Sequence, residues 1–291
     1  MTEINGYTRT CGLLGNPVEH TVSPVIHNTL AGVTGENLVY LPFRVSNGSV
    51  GDAVKGAYAL NFLGLNVTVP YKSDVIPFLK EVDPLAKRIG AVNTLVRLEE
   101  GFKGYNTDMP GLYRAMCDDG VRLEGEKVLI LGAGGVARAV AVLLAEKKAE
   151  KVILLNRTIE RAQMIADEVN AIVGEKFAYA MALDSYKELP EEERYLAIQA
   201  TSVGMYPGVD DVVIADEDFY RKIHTGYDLI FNPSSTKFMK LVQRQGGRAY
   251  GGLKMLLYQG VIAYELWTGH TVSDELAMQV YKCMKEAMGI Y

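Results

Sequence analysis

The chain of 291 residues is long enough for about two domains, and its 48% hydrophobic and 22% charged residues are those of an ordinary soluble globular protein. A formal net charge of -5 with no basic block argues against a nucleic-acid partner, and no apolar run reaches the roughly 18 residues that a membrane span needs. Cys11, Cys117 and Cys283 are too few and too far apart for a disulfide framework or a zinc site, and residues 1–10 are polar rather than a signal peptide, so a reduced, cytoplasmic compartment is expected.

Residues 11–15 read as a strand ending at the turn signal Asn16-Pro17. Ser23-Pro24 supplies an N-cap and a first helical residue, which predicts a helix to about Leu30. Residues 38–45 alternate like a strand, 64–69 form an apolar strand ended by Pro70, and 90–98 form a third, rich in β-branched residues. Strands alternating with helices predict an α/β domain. A second unit is expected to begin near residues 110–125. There 127–131 is a strand, 138–148 a helix, 152–155 a strand and 159–169 a helix, with further strands at 196–200 and 227–231. This is the βαβ rhythm of a doubly wound sheet. The tail, 253–290, reads as two helices with a turn near Gly269. Glu191, Glu192 and Glu193 read as a solvated loop, and the eleven methionines, Met278, Met284 and Met288 among them, as core filling.

The strongest local signal is Gly132-Ala133-Gly134-Gly135-Val136-Ala137, between a strand and a helix. In a dinucleotide site Gly132 makes the tight turn, Gly134 lets a pyrophosphate approach the backbone, and Ala137 permits close helix–strand packing. The helix N-terminus favours the anion. A tight strand–helix turn without a ligand is the plainer reading. An NAD site usually carries an acid at the end of the next strand, on the ribose 2′-hydroxyl. Here the strand ends in Asn156-Arg157-Thr158, followed by Arg161, and Arg offers a planar fork to a 2′-phosphate. The cofactor is therefore expected to be NADP, with NAD as the alternative.

Earlier in the chain, Asn66-Val67-Thr68-Val69-Pro70-Tyr71-Lys72, Asn93-Thr94 and Tyr105-Asn106-Thr107-Asp108 are polar clusters at or near strand ends, where ligands of open α/β sheets bind. Taken singly, each is explained by ordinary turn chemistry. His27 within the first helix reads as a packed or surface residue, and His20 as a turn residue.

Taken together and in order, these segments resemble the shikimate dehydrogenase family over nearly the whole chain. The opening at 20–28, the segments 66–72, 90–94, 104–108, 132–137 and 156–158, the Ala-Thr-Ser-Val-Gly-Met run at 200–205 and the final segment 251–260 carry the likeness. The resemblance implies two α/β domains with the active site in the cleft between them. A substrate-binding catalytic domain would span 1–108, completed by C-terminal helices 253–291 packing back on it. A Rossmann-type NADP-binding domain would span 109–252. It implies that Lys72 and Asp108 are the catalytic pair, and that Thr21, Ser23, Asn66, Thr68, Asn93, Tyr227 and Gln259 bind substrate. Gly132, Ala133, Gly134, Gly135, Val136, Ala137, Asn156, Arg157, Thr158, Arg161, Thr201, Gly251 and Met255 would bind the cofactor. Two departures stand out. Thr21 replaces a serine, and Gln199 replaces the asparagine that often precedes the Ala-Thr-Ser run.

The activity implied is hydride transfer between NADP(H) and the ring carbonyl of 3-dehydroshikimate, giving shikimate, in aromatic amino-acid biosynthesis. Lys72 would give a proton to the developing alkoxide, with Asp108 orienting it. No metal is required, the partner is a small-molecule substrate, and the protein is expected to be a monomer or homodimer. The alternatives are a quinate/shikimate dehydrogenase with broader substrate or NAD use, and a non-catalytic metabolite-binding paralogue. Retention of both Lys72 and Asp108 argues against the last, since a sensor needs no proton donor.

Overall fold

In the computed structural model, residues 4–290 are described, so the first three residues of the polar N-terminal segment and residue 291 lie outside the described residues. The chain forms two compact units: one up to Leu112 and again from Leu256, the other from Tyr113 to Met255.

The first unit contains β1 (Arg9–Gly15), α1 (Ser23–Thr34), β2 (Leu38–Arg44), α2 (Val50–Ala59), β3 (Gly64–Val67), β4 (Glu81–Val82), α3 (Pro84–Ile89), β5 (Thr94–Arg97) and β6 (Phe102–Tyr105), and the start of α4 (Asp108–Asp118). Its six strands lie in the order β2-β1-β3-β5-β6-β4. β1 is parallel to β2 and β3, whereas β5 runs antiparallel to β3 and β6. The mixed directions have a consequence for the site. The C-terminal ends of β1, β3 and β6 and the N-terminal end of β5 all lie along one edge of the sheet. The expected third strand at 90–98 is shorter than its β-branched run suggested. Gly90 takes φ +74° as the left-handed C-cap of α3, and residues 91–93 lead into the strand, with Asn93 already bonded through its backbone to Val67 and Tyr105. The helices α2 and α3 were not anticipated.

The second unit is built from β7 (Lys127–Leu131), α5 (Gly135–Glu146), β8 (Lys151–Asn156), α6 (Ile159–Val173), β9 (Ala178–Ala182), β10 (Tyr195–Gln199), the single turn α7 (Asp218–Arg221), β11 (Ile223–Asp228), α8 (Lys237–Arg244) and β12 (Arg248–Gly251). All its strands are parallel, in the order β12-β11-β10-β7-β8-β9. Parallel strands covered on both faces need continuous apolar runs, and residues 128–131 and 152–155 supply them, all buried. The strand order reverses between β7 and β10. Ligands of doubly wound sheets bind outside the strand ends at such a switch point. The strand expected at 227–231 lies earlier, at Ile223–Asp228, and the edge strands β9 and β12 were missed. Glu193 departs from the solvated-loop reading. It accepts from Lys127 Nζ at 2.5 Å and from the Tyr195 hydroxyl at 2.7 Å, and the lysine is the main reason its carboxyl is held down at about 2.

The tail folds as α9 (Leu253–Thr268) and α10 (Asp274–Ala287), separated by Gly269 in the left-handed region. From Leu256 onward it belongs to the first unit. There α10 packs on α1, and the Trp267 indole N–H donates to the Leu95 carbonyl at 2.9 Å. Among the described residues no helix is long and apolar enough to cross a membrane.

Candidate functional site

The polar edge of the first sheet gathers the residues singled out there. The turn after β1 carries Thr21 and Ser23, the turn after β3 carries Thr68 and Lys72, Asn93 precedes β5, and Asp108 follows β6. Backbone bonds from Thr68 N to Leu14 O (2.9 Å) and Asn16 N to Val69 O (3.0 Å) lock the first two turns together. The hydroxyl of Thr21 donates to Ser23 Oγ at 3.1 Å and accepts from the Ser23 amide at 3.2 Å, which fixes both side chains.

Beneath them is a buried amide–hydroxyl network. Tyr40 donates its hydroxyl to Asn66 Oδ1 (2.8 Å), and Asn66 Nδ2 donates to Asn93 O (3.2 Å) and Thr94 Oγ1 (3.1 Å). Asn93 Oδ1 accepts from the Thr107 amide (2.7 Å) and from the hydroxyls of Thr94 (3.1 Å) and Thr107 (3.2 Å). Two consequences follow from the donor count of a carboxamide. Both N–H groups of Asn66 are consumed inside the protein, so it meets a ligand only through Oδ1. Among the described residues Asn93 N–H₂ has no protein partner, and the three donors on its oxygen orient it. Thr94 and Thr107 hold this arrangement together, and Asn-Thr pairs in turn positions are too common to have marked that role in the sequence.

Lys72 Nζ donates to Asp108 Oδ2 at 2.7 Å, with 34% of the lysine and 18% of the aspartate side chain exposed. The pair is therefore reachable by a small molecule yet partly shielded from water. Asp108 opens α4, where the helix dipole favours a carboxylate. One turn on, Gly111 faces α9 so closely that a Cβ there would lie 2.6 Å from Gln259 N. Only glycine allows this approach, and it brings half-buried Gln259, whose Nε2 donates to Leu256 O at 2.9 Å, beside the first turn of α4. His27 is fully buried, stacked on Tyr40 with ring centroids 4.2 Å apart, and among the described residues neither ring nitrogen meets the geometry of a hydrogen bond. Burial pushes its pKa down to about 3, so it is a neutral packed residue. His20 is exposed.

In the second unit the glycine turn lies at the switch point. Gly132 takes φ +113°, and a Cβ there would lie 2.7 Å from Thr201 Cγ2, so this position needs glycine twice over. Cβ atoms at Gly134 and Gly135 would meet nothing. The N-cap of α5, Gly134, offers no side-chain acceptor, which leaves the first-turn amides of the helix open to an anion. Two cavities flank this turn. One of about 230 Å³ is lined by Ala133, Gly134, Gly135, Arg161 and Arg138, the last paired with Glu168 of the same lining at 2.5 Å. The other, of about 320 Å³, is lined by Gly132, Asn156, Arg157 and Thr201, and by the apolar Leu155, Leu183, Val203, Val212 and Val213. These backbone amides and arginines, with no carboxylate at the end of β8, fit a phosphorylated dinucleotide. Asn156 Nδ2 donates to Thr158 O at 2.8 Å, shaping the turn that carries exposed Arg157. Val136 is exposed on the first turn of α5 and Ala137 is buried against the sheet. Gly251 ends β12 and Met255 lies in the first turn of α9.

Of the residues lining these cavities, Arg138, Leu183, Val212 and Val213 were not singled out in the sequence. Arg138 stands one turn into α5, and that spacing could have revealed it. The other three come from loops whose approach depends on the fold. Tyr227, expected to bind substrate, lies in β11 of the second unit. That side chain is fully buried, and its hydroxyl donates to Asp119 Oδ2 at 3.2 Å. Asp119 also takes the Lys254 ammonium at 2.6 Å. Gln199 and Asp228 are likewise buried in the second unit, where burial raises the Asp228 carboxyl to about 6 against the hydroxyl of Thr236 and the amide of Ile230.

Comparison with known proteins places these features in context. Models of the shikimate dehydrogenase substrate binding domain, of shikimate/quinate 5-dehydrogenase and of the shikimate 5′-dehydrogenase C-terminal domain match residues 13–95, 116–201 and 252–280. The shikimate dehydrogenase (NADP(+)) of Moorella thermoacetica is 42% identical over 290 residues, covering 99% of this chain and 97% of its own. A crystal structure of a shikimate dehydrogenase in complex with NADP+ matches with a TM-score of 0.89 at 34% identity, covering 98% of each chain. The shikimate 5-dehydrogenase of Listeria monocytogenes, in complex with shikimate and NAD, matches with a TM-score of 0.88 at 30% identity over 99% of each chain.

Proposed function

The chain belongs to the shikimate dehydrogenase family, and on that footing we propose that it is an NADP-dependent oxidoreductase interconverting 3-dehydroshikimate and shikimate in aromatic amino-acid biosynthesis. The observation that carries the reading is the partly shielded Lys72–Asp108 pair on the sheet edge that also presents Thr21, Ser23, Thr68 and Asn93. The first unit binds the substrate and the second binds the cofactor.

Bound NADP(H) supplies the hydride or accepts it. As the ring carbonyl carbon gains a hydride, its oxygen becomes an alkoxide. Lys72 Nζ gives that oxygen a proton, forming the secondary alcohol, and the neutral amine is reprotonated from water. Asp108 holds Nζ in place through the 2.7 Å ion pair. In the oxidation of shikimate the same atoms take the proton away. The free Asn93 N–H₂, the Thr68 hydroxyl and the Gln259 side chain are hydrogen-bonding groups for ring hydroxyls, and Thr21 and Ser23 for the carboxylate. When the cofactor is bound, Gly251 and Met255 would border its nicotinamide, Ala133–Gly135 and Arg161 would hold its phosphates, and Arg157 would hold the 2′-phosphate. The protein acts as a monomer or homodimer, which sedimentation would decide.

The test is stoichiometric. Purified protein given 3-dehydroshikimate and NADPH should form one shikimate for each NADPH oxidised. Tight binding of either compound without product formation would instead identify a metabolite-binding protein.

A further inference from the structure

Gln199, at the end of β10, is fully buried, and its carboxamide has a partner at every position. Oε1 accepts from the Thr201 amide at 2.6 Å and from the Thr201 hydroxyl at 2.7 Å. Nε2 donates to Val203 O at 3.0 Å and, over a longer 3.4 Å, to Asp228 Oδ1. An amide offers two donors and two acceptor lone pairs, and all four are used. The two residues it grips are those that build one wall of the cofactor cavity: Thr201, whose methyl carbon supports the Gly132 turn, and Val203. The Thr201 hydroxyl in turn accepts from the Val203 amide at 3.1 Å, closing the 200–203 turn on itself.

The far side of the amide is anchored as firmly. Asp228 Oδ1 also accepts from the Ile230 amide at 3.0 Å, and Oδ2 from the Thr236 hydroxyl at 2.6 Å. Thr236 caps α8 through the Met239 amide at 3.3 Å. One buried side chain thus ties a loop that faces the cofactor to a carboxylate fixed by two further elements. Without it, the half-buried Thr201 amide and hydroxyl lose their acceptor and the carbonyl of exposed Val203 loses its donor, so the 200–203 turn loses the bonds that fix it to β10.

We propose that Gln199 is a positioning residue for the cofactor, holding Thr201 and Val203 in the geometry that NADP(H) binds, without touching NADP(H) itself. The proposal rests on the NADP reading of that cavity. It explains why the residue before the Ala-Thr-Ser run carries a long amide.

The experiment compares wild type, Gln199→Leu, Thr201→Val and the double variant by steady-state kinetics, with thermal unfolding as the check on folding. Gln199→Leu should raise the KM for NADP+ on the order of 10-fold, the loss of one to two net hydrogen bonds. Its kcat at saturating cofactor and its KM for shikimate should stay within about twofold. Because Gln199 acts through Thr201, the double variant should be no worse than the weaker-binding single. An unchanged KM for NADP+ in Gln199→Leu overturns the proposal, as do single effects that multiply in the double. If Gln199→Leu does not fold, Thr201→Val decides alone, and an unchanged KM for NADP+ overturns the proposal. A wild-type protein that turns over with NAD+ but not NADP+ would sink the NADP reading, and the proposal with it. An active, NADP-dependent wild type with an unaffected Gln199→Leu would sink only the positioning role.

Discussion

Lys72 and Asp108 are 36 residues apart in the chain, yet Nζ and Oδ2 are 2.7 Å apart at the polar edge of one sheet. The lysine follows β3 and the aspartate follows β6, and the antiparallel strand between them returns the chain to the same edge. Lys72→Ala should lower kcat on the order of 10²–10⁴-fold, the worth of a positioned acid, with a much smaller change in the KM for shikimate. Asp108→Asn should also lower kcat. Single-turnover kinetics at saturating substrate check this, and near-normal turnover in Lys72→Ala would remove that residue from the chemistry.

Arg157 stands exposed at the end of β8, where Asn156 occupies the place of an acid. NADP+ should be preferred over NAD+. Arg157→Ala should weaken NADP+ by roughly 1.5–3 kcal/mol, the range for a hydrogen bond to a charged group, and leave NAD+ almost untouched. Calorimetric titration of both cofactors is the measurement, and equal losses for the two would contradict a contact to the 2′-phosphate.

Thr21 bonds Ser23 through both its hydroxyl roles, so its methyl group is held in one orientation. Quinate carries a tetrahedral carbon and an added hydroxyl where shikimate is flat. The methyl should favour shikimate by about 10–200-fold in kcat/KM, as steric differences of this size do. Thr21→Ser should narrow that ratio, and Thr21→Val should harm both substrates. A ratio that Thr21→Ser leaves unmoved would place the discrimination elsewhere.

His27 predicts a pH dependence of stability. Burial lowers its pKa from 6.5 to about 3, so the folded state keeps the imidazole neutral while the unfolded chain protonates it below 6.5. Its neutral form is fully accommodated above pH 6.5, and stability is lost as pH falls from 6.5 towards 3, at up to about 1.4 kcal/mol per pH unit. Chemical denaturation of wild type and His27→Leu between pH 7 and about 4.5 checks this. The variant should show the shallower slope, and parallel slopes would refute the assignment.

Much of this was legible in the residues. The apolar runs 127–131 and 152–155 and the glycine turn between β7 and α5 announced a parallel sheet and its ligand end, because β-rich runs and glycine are local signals. Ser23-Pro24 marked the start of α1 to within one residue, but Ser23 is the first helical residue and not the cap, which is Val22 with no side-chain bond, and the helix runs on to Thr34 with Gly35 as its left-handed cap. Asn93 could be suspected, but its free N–H₂ could not, because that depends on Thr94 and Thr107 saturating its oxygen. The bond that Tyr227 makes was equally out of reach of the sequence. Its partner Asp119 is 108 residues away and only the fold brings them together. Gln199 stood out as an unusual residue with no evident task until the 200–203 turn and Asp228 were seen on either side of its amide.

The most direct measurement is kcat/KM for shikimate and for quinate, each with NADP+ and with NAD+, using the purified full-length protein. The expected result is that the pair of shikimate and NADP+ gives the highest value of the four, with quinate slower by about 10–200-fold. A quinate value equal to or above that for shikimate, or no reduced nicotinamide from any of the four combinations, would contradict the proposed reaction.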